Sequence, residues 1–451
     1  MLSDAIVALA TPPGRSAVAV IRLSGQGVFD IAARVVPSFR LDPPREARLA
    51  TFRAADGAVL DRGLYLVFPG PHSETGEDMV ELHSHGGLVV PTQLVAALEA
   101  AGARPAHPGE FTRRALMNGK LDLLQAEALG DLVDAEAPAQ ARIAVHQLEG
   151  GLSRRIAELR ESLISLLALL AYEVDFPDED DGPLPQARLE VERAKVAAQV
   201  TALLATAPLA ERVRNGALVV LAGPPNVGKS SLFNALLGRE RALVTELPGT
   251  TRDAIEATVD FCGWPVRLVD TAGLGASVDR IDQLGQEVSR RYMAAADLVI
   301  VCEESGRERM EGDGRWAIGE TAFTDRLPPT AILLIGTKAD LHTPPADRLA
   351  VSVVTGEGLD QLRCEVAHRL FSAGVALADL GPALTRARHR EALAGADAAL
   401  RAAVPHFAHG GDAVLAAHEV QEAVRALDML IGSVDIEEVL DRLFAGVCIG
   451  K

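Results

Sequence analysis

No uninterrupted apolar stretch of the chain reaches the roughly 20 residues that a membrane-spanning helix needs. The opening residues MLSDAIVALATPPG carry an acid and two prolines where a secretory signal would have a basic start. A cytoplasmic protein is therefore expected, with no membrane partner. Cysteine is scarce: Cys262, Cys302, Cys364 and Cys448 are the four in 451 residues, far apart and without C-x-x-C spacing. Neither a disulfide framework nor a cysteine zinc site is expected from that pattern. The eleven histidines are scattered. His83 and His85 are close, but in an extended segment they would share one side and need further ligands. Positive charge is also short, 44 Lys and Arg against 62 Asp and Glu for a formal charge of −18. That balance argues against wholesale wrapping of nucleic acid, and leaves room for a local basic patch or a partner that supplies the positive surface.

What is present is a globular composition, 48% hydrophobic and 24% charged, in a chain long enough for two to four domains. The stretch that organises it is LVVLAGPPNVGKSS, Leu218 to Ser231. An apolar run of strand length enters a loop with Gly223, four residues, then Gly228, Lys229 and Ser230, and the apolar positions that follow have helical spacing. This is a nucleotide phosphate loop in its strand, loop, helix context, where successive backbone N–H groups and the helix N-terminus face phosphates. Lys229 is expected to reach the β and γ phosphates and the Ser230 hydroxyl to ligate magnesium, with Ser231 beside it. Downstream, LVTELPGTTRD (Leu243 to Asp253) offers Thr251 to complete the magnesium shell. The strand-like VRLVDTAG ends in Asp270, close to magnesium, and Gly273, whose N–H faces the γ phosphate. TKAD, Thr337 to Asp340, is the base station. The Asp340 carboxylate accepts from both donors of guanine, Lys338 packs its stem along the base, and Thr337 stands where asparagine is usual. The segment SVVTGEG from Ser352 closes over the base. Leu274 follows DTAG where many small GTPases carry a glutamine, so water must be handled by other groups; Asn226, beside which a monovalent cation could sit, and an acid of GASVDRIDQLG are the candidates, though taken by itself that segment reads first as a flexible charged loop.

Around this unit, residues 1 to 118 read as a mixed α/β domain with strands at Ile6 to Ala10, Val18 to Leu23 and Gly63 to Phe68. A helix-like run lies at Leu88 to Ala100, and Arg104 to Leu129 reads as a turn leading into a basic and then an apolar helical pattern. Arg22, Arg113 and Lys120 there are either an anion site or a solvated charged loop. From Leu121 to about Leu209 the periodicity is helical, with Leu148, Leu152, Ile156, Leu159, Leu163, Leu166 and Leu170 three or four apart, interrupted by the acidic DFPDEDDGPLP. Leu384 to Val404, Asp412 to Ile431 and Asp435 to Phe444 are helical again. The expected fold is multidomain, α/β and all-α: an N-terminal domain over 1–118, a discontinuous helical domain over 119–215 and 375–451, and a GTPase domain inserted over 216–374.

Taken together, GPPNVGKSS, GTTRD, DTAGL, the C-terminal VCIGK and the N-terminal TGEDMVELHSHGG and PGEFTRRALMNGKLDLLQAEA make the chain resemble the bacterial tRNA modification GTPase family called MnmE or TrmE. The resemblance runs from Asp4 to Lys451. It implies a folate-binding, dimerising N-terminal domain, a helical domain and a potassium-activated GTPase that pairs across its nucleotides. It also implies a homodimer working with the FAD-dependent partner MnmG (GidA) to place an aminomethyl or carboxymethylaminomethyl group on carbon 5 of the wobble uridine of tRNA. The one-carbon unit would come from 5,10-methylenetetrahydrofolate or 5-formyltetrahydrofolate. By motif, Asn226, Thr245 and Thr250 correspond to potassium ligands, and Arg22, Glu81, Lys120 and Lys451 to folate positions. Cys448 matches the family's functional cysteine, and Asp282 stands where a water-positioning glutamate is usual, which implies slower turnover. Gly275 replaces a commonly basic residue, Ser84 a commoner cysteine or glycine, and VCEES after the strand at 301 lacks the usual aspartate. A reading of another class is a regulatory GTPase of ribosome or RNA assembly with an N-terminal interaction module, which has no reason to carry both PGEFTRRALMNGKLDL and CIGK.

Overall fold

The computed structural model describes residues 4–175, 186–238, 255–270, 291–305, 332–371, 380–407 and 411–431. These fall into two compact units, each built from separated stretches of chain: 1–130, 147–190 and 398–451 in the first, 131–146 and 191–397 in the second. The fold is multidomain, combining α/β and all-α parts. Among the described residues no helix is long and apolar enough to cross a membrane.

The first unit holds a six-stranded sheet in the order β3-β4-β5-β2-β1-β6. Its strands are β1 (Ile6–Leu9), β2 (Gly14–Ser24), β3 (Arg48–Arg53), β4 (Val59–Phe68), β5 (Met79–Gly87) and β6 (Arg104–Pro105). All pairings are antiparallel except the parallel one between β1 and β6. Strand alternation puts Ile21, Leu23, Leu82 and Val80 on the buried face, where the apolar sides of α1 (Val28–Val35) and α2 (Val90–Ala100) cover them. Arg22 and Glu81 alternate to the opposite face and stand directly across from each other in the β2–β5 register. Next come α3 (Glu110–Met117) and α4 (Leu123–Val133), while α5 (Pro138–Leu148) belongs mostly to the second unit, where Ala139 and Ile143 enter the core. In α6 (Gly151–Asp175), Leu152, Ile156, Leu159, Leu163, Leu166 and Leu170 form one buried stripe. The helical run expected from Leu148 is broken at Gly150, whose φ of 77° ends α5 before α6 begins.

The second unit takes in most of α7 (Gln186–Leu204) and all of α8 (Ala207–Asn215), followed by a sheet in the order β12-β11-β10-β7-β9-β8. Its strands are β7 (Ala217–Ala222), β8 (Ile255–Phe261), β9 (Trp264–Asp270), β10 (Leu298–Glu304), β11 (Ile332–Thr337) and β12 (Leu349–Ala350). It is parallel apart from the β8–β9 hairpin. A central parallel strand is buried on both faces, which is why β7 is an unbroken apolar run with every residue buried. Helix α9 (Lys229–Leu237) leaves the phosphate loop, and α10 (Leu359–Phe371) packs Leu362, Val366 and Phe371 into the same core. Two more helices, α11 (Ala387–Ala402) and α12 (Ala413–Ile431), follow. In the first unit α12 packs on α6, with Arg160 paired to Asp428 at 2.6 Å.

One expectation is overturned. Cys262 and Cys364, 102 residues apart in sequence, are joined by a disulfide with their Cα atoms 5.6 Å apart. Cys262 sits in the two-residue turn of the β8–β9 hairpin, where it and Gly263 both have positive φ (52° and 90°), as a tight primed turn requires. Spacing along the chain carried no sign of the pair, because sheet closure is what brings the turn to α10.

Candidate functional site

β7 delivers the chain to Gly223 at the carboxyl end of the central strand, where the strand order reverses and open α/β sheets bind ligands. Gly223 has φ 143°, and a Cβ there would lie 2.4 Å from the Cys302 carbonyl, so the loop leaves the sheet at a point where no side chain fits. Asn226 (φ 62°) and Gly228 (φ 98°) are both left-handed. Asparagine tolerates that region better than most residues. Gly228 also caps α9, so the loop is poised at a helix N-terminus, and Asn226, Ser230 and Ser231 are exposed on it. Lys229, 7% exposed, donates to the Gly223 and Pro224 carbonyls at 2.9 and 2.8 Å. Burial lowers its pKa from the ordinary lysine value, against the opposing pull of the Asp270 carboxylate. Asp270 ends β9 almost wholly buried, in register with Leu221 of β7. Cys302, beneath the loop, is a buried thiol pushed up to about 12 by burial.

The residues expected to read the base lie at the ends of β10 and β11. Lys338 has φ 55° and its ammonium is 2.8 Å from Glu304 Oε1. Asp340 Oδ1 accepts from the Ser352 hydroxyl at 2.6 Å, and that hydroxyl in turn accepts from the Thr355 N–H at 3.2 Å. The Ser352 side chain thus faces Asp340. Thr337 is 4% exposed, with Oγ 2.7 Å from the Val227 carbonyl and 2.9 Å from that of Glu303. Glu303 pairs with Arg348. The glutamates of VCEES are thus both paired with cations, Glu303 with Arg348 and Glu304 with Lys338.

In the first unit, Arg22 donates to Glu81 Oε1 from Nε (3.0 Å) and a terminal nitrogen (2.9 Å). Its other terminal nitrogen reaches Glu74 at 2.7 Å, and its guanidinium lies 5.8 Å from the centre of the Phe111 ring. Glu81 Oε2 faces His83 Nε2 at 3.3 Å, while His85 pairs with Asp61. Lys120 donates to the Pro71 carbonyl at 3.1 Å, and Asn118 to that of Thr75 at 2.7 Å. The 71–77 loop therefore touches Arg22 through Glu74 and Lys120 through Pro71. Beneath it is a network that sequence reasoning missed. Arg114, 1% exposed, donates to the Asp4 carbonyl and carboxylate, to Glu77 and to Glu110, and Arg104 binds Asp4 and both oxygens of Glu110. Ser24 links Thr75 (2.7 Å) and Glu77 (2.8 Å) to the same cluster. Burial alone would raise Glu110, but hydrogen bonds from Arg104, the His107 N–H and Arg114 outweigh it and hold the carboxyl at about 2. Asp4 is held low chiefly by its hydrogen bond from Arg104. Thr245, Thr250, Thr251, Gly273, Asp282, Cys448 and Lys451 lie outside the described residues.

A model of the MnmE helical domain matches residues 123–448, and one of the N-terminus of the GTP-binding protein TrmE matches residues 5–120. The chain belongs to the MnmE family. A tRNA modification GTPase MnmE from Acidiphilium cryptum is 42% identical over 454 residues, covering 100% of this chain and 99% of that protein. Another, from Phenylobacterium zucineum, is 43% identical over 467 residues, covering all of both chains. The solved G domain of the T. maritima FeoB iron transporter aligns over 34% of this chain and 98% of its own at 26% identity, with a TM-score of 0.24, too low to carry any argument. As an MnmE-family member this chain is a GTP-binding GTPase of the tRNA modification class.

Proposed function

We propose that this chain hydrolyses GTP with potassium activation to drive modification of tRNA at carbon 5 of the wobble uridine, adding an aminomethyl or carboxymethylaminomethyl group. It works in the cytoplasm as a homodimer together with the FAD-dependent partner MnmG. The observation that carries this reading is the phosphate loop: a left-handed Asn226 and Gly228 opening α9, with Lys229 on the loop's own carbonyls, in a chain that matches the family at both its N-terminal and helical parts. Exposed Ser230, with Thr251, would hold magnesium, and exposed Asn226, with Thr245 and Thr250, would hold potassium. The donor chemistry fits: hydroxyl and amide oxygens suit hard cations. Lys229 exchanges its carbonyl partners for the β and γ phosphates, Asp270 and Gly273 sense the γ phosphate, and Asp282 positions the water. Asp340 reads guanine with Lys338 and Ser352 supporting it.

For the folate, Glu81 keeps free lone pairs beyond its bonds to Arg22 and suits the amino group of a pterin, while Arg22, Lys120 and Lys451 suit carboxylates. Bound magnesium and potassium would supply positive charge at the phosphates, and 5,10-methylenetetrahydrofolate or 5-formyltetrahydrofolate would supply the one-carbon unit. Cys448 stands with that chemistry. The domain boundaries at 118, 215 and 374 belong to the same proposal.

The experiment is GTP turnover at fixed ionic strength in potassium and then sodium chloride, at several protein concentrations. A potassium-specific rate that rises with concentration is expected, and Asn226→Ala should abolish the preference. Equal rates in the two salts overturn potassium activation. Titration with a reduced folate, followed by fluorescence, should saturate; no saturable binding by the folded protein overturns the folate reading.

A further inference from the structure

Arg22 is held from two sides by acids that are not equivalent. A guanidinium grips carboxylates with N–H groups along its edges. Glu81 takes the edge made by Nε and one terminal nitrogen, at 3.0 and 2.9 Å, and the other terminal nitrogen is 2.7 Å from Glu74 Oε2. Glu81 stands across from Arg22 in the β2–β5 register with its side chain 15% exposed, so the sheet fixes it. Glu74 lies on the loop between β4 and β5 with its side chain 43% exposed. That loop does not need Glu74 to keep its place. Lys120 donates to the Pro71 carbonyl, Asn118 to the Thr75 carbonyl, Ser24 bonds the Thr75 hydroxyl, and the Gly70 N–H donates to Asp78. A rim ion pair contributes little to stability, because water competes for both partners. The Arg22–Glu74 contact is therefore one that an incoming anion can exchange, while the Arg22–Glu81 contact stays.

We propose that Glu74 is a specificity-determining residue: it occupies the end of Arg22 that is open to a ligand, so a ligand reaches that arginine only by displacing an acid of the protein itself. The proposal rests on reading Arg22 as part of a folate site, and it states how that site selects. A carboxylate exchanges one charge-assisted hydrogen bond for another of the same kind, whereas a neutral group cannot compensate for the pair that it breaks. Once displaced, Glu74 remains close by as a negative charge and repels the anion that replaced it. The site is thus selective for carboxylates and weaker toward them than its basic groups alone would make it.

The test is the affinity of the full-length protein for 5-formyltetrahydrofolate, whose tail carries carboxylates, measured by isothermal titration calorimetry for the parent and for Glu74→Gln and Glu74→Ala. Both variants lose the charge, and alanine also loses the bulk. Each should bind about twofold to fivefold more tightly than the parent, the scale of one exposed ion pair. The thermal midpoint without ligand should fall far less than in Arg114→Met, since Glu74 sits at the rim. Adding Arg22→Gln to Glu74→Gln should abolish the gain. Unchanged affinity in both single variants overturns the proposal, and weaker binding in either overturns it by making Glu74 a contact of the ligand. A gain with alanine and none with glutamine also overturns it, because the obstacle would then be bulk and not charge. So does a double variant that binds as tightly as Glu74→Gln, because the gain would then not pass through Arg22. Failure of the folate reading looks different: neither the parent nor any variant saturates, and the proposal falls with it.

Discussion

The phosphate loop and the N-terminal arginine cluster are both candidate binding regions, yet they are made of different materials. Around Gly223 to Ser231 the shape is set by backbone: two left-handed residues, a helix N-terminus and a lysine held by carbonyls. Around Arg22 and Arg114 it is set by side chains, with carboxylates from Asp4, Glu74, Glu77, Glu81 and Glu110 on three guanidinium groups. A backbone cradle keeps its form when a side chain is changed, and it is indifferent to pH over a wide range. A buried ionic cluster ties stability to every member and to the protonation of its acids. The first arrangement should lose chemistry without losing fold, and the second should lose fold first.

The largest effect expected is on the ionic side. Arg114→Met takes the buried guanidinium away from Glu77 and leaves Glu110 with Arg104 alone, and should cost about 3–5 kcal/mol of stability in urea denaturation followed in the N-terminal part. Lys229→Ala should lower GTP turnover roughly 10²–10³-fold, equivalent to about 2.7–4 kcal/mol in the barrier, with the thermal midpoint without nucleotide almost unmoved. A fall in that midpoint as large as the one for Arg114→Met would break the contrast. Reducing the Cys262–Cys364 disulfide should destabilise the nucleotide domain by about 2–4 kcal/mol, an effect that Cys364→Ser reproduces and that a reductant then leaves unchanged.

The smallest and most graded effect is pH dependence. Glu110 is depressed from 4.5 to about 2 and Asp4 is depressed below 3.8, so their contribution is complete above those ordinary values and is lost as pH falls through the depressed ones. Stability of the N-terminal part should therefore decline from about pH 4.5 down to pH 2. Glu110→Gln should flatten that decline, and near-UV circular dichroism against pH measures both; an identical slope in the variant would remove Glu110 from the account.

The phosphate loop was legible because its residue types are dictated by local backbone geometry, which a contiguous stretch of sequence records. The same holds for β7, an apolar run with no alternation, and for the α6 stripe. β5 was not singled out as a strand, although Val80, Glu81, Leu82 and His83 alternate as a half-buried strand does, because the glycines and acids around them carry the stronger loop signal. Asp4, Arg104, Glu110 and Arg114 were invisible as a unit, since Asp4 lies 100 residues or more from Arg104 and Arg114 and meets them only when β1 pairs with β6. Arg22 and Glu81 were named through family resemblance as separate positions, with no sign that they pair, and nothing in the sequence turns the hydroxyl of Thr337 toward Val227. Direction of a side chain is the one property that residue identity does not encode.

The disulfide described above also makes part of the chain a closed covalent ring running from Cys262 to Cys364. Asp270, Thr337, Asp340 and Ser352 lie on the ring, and the phosphate loop lies outside it. A single protease cut anywhere on the ring therefore releases nothing: the two pieces migrate as one chain until a thiol is added. A cut between the phosphate loop and Cys262 separates the fragments at once, so a pair of gels with and without reductant maps on which side of the ring the chain first opens.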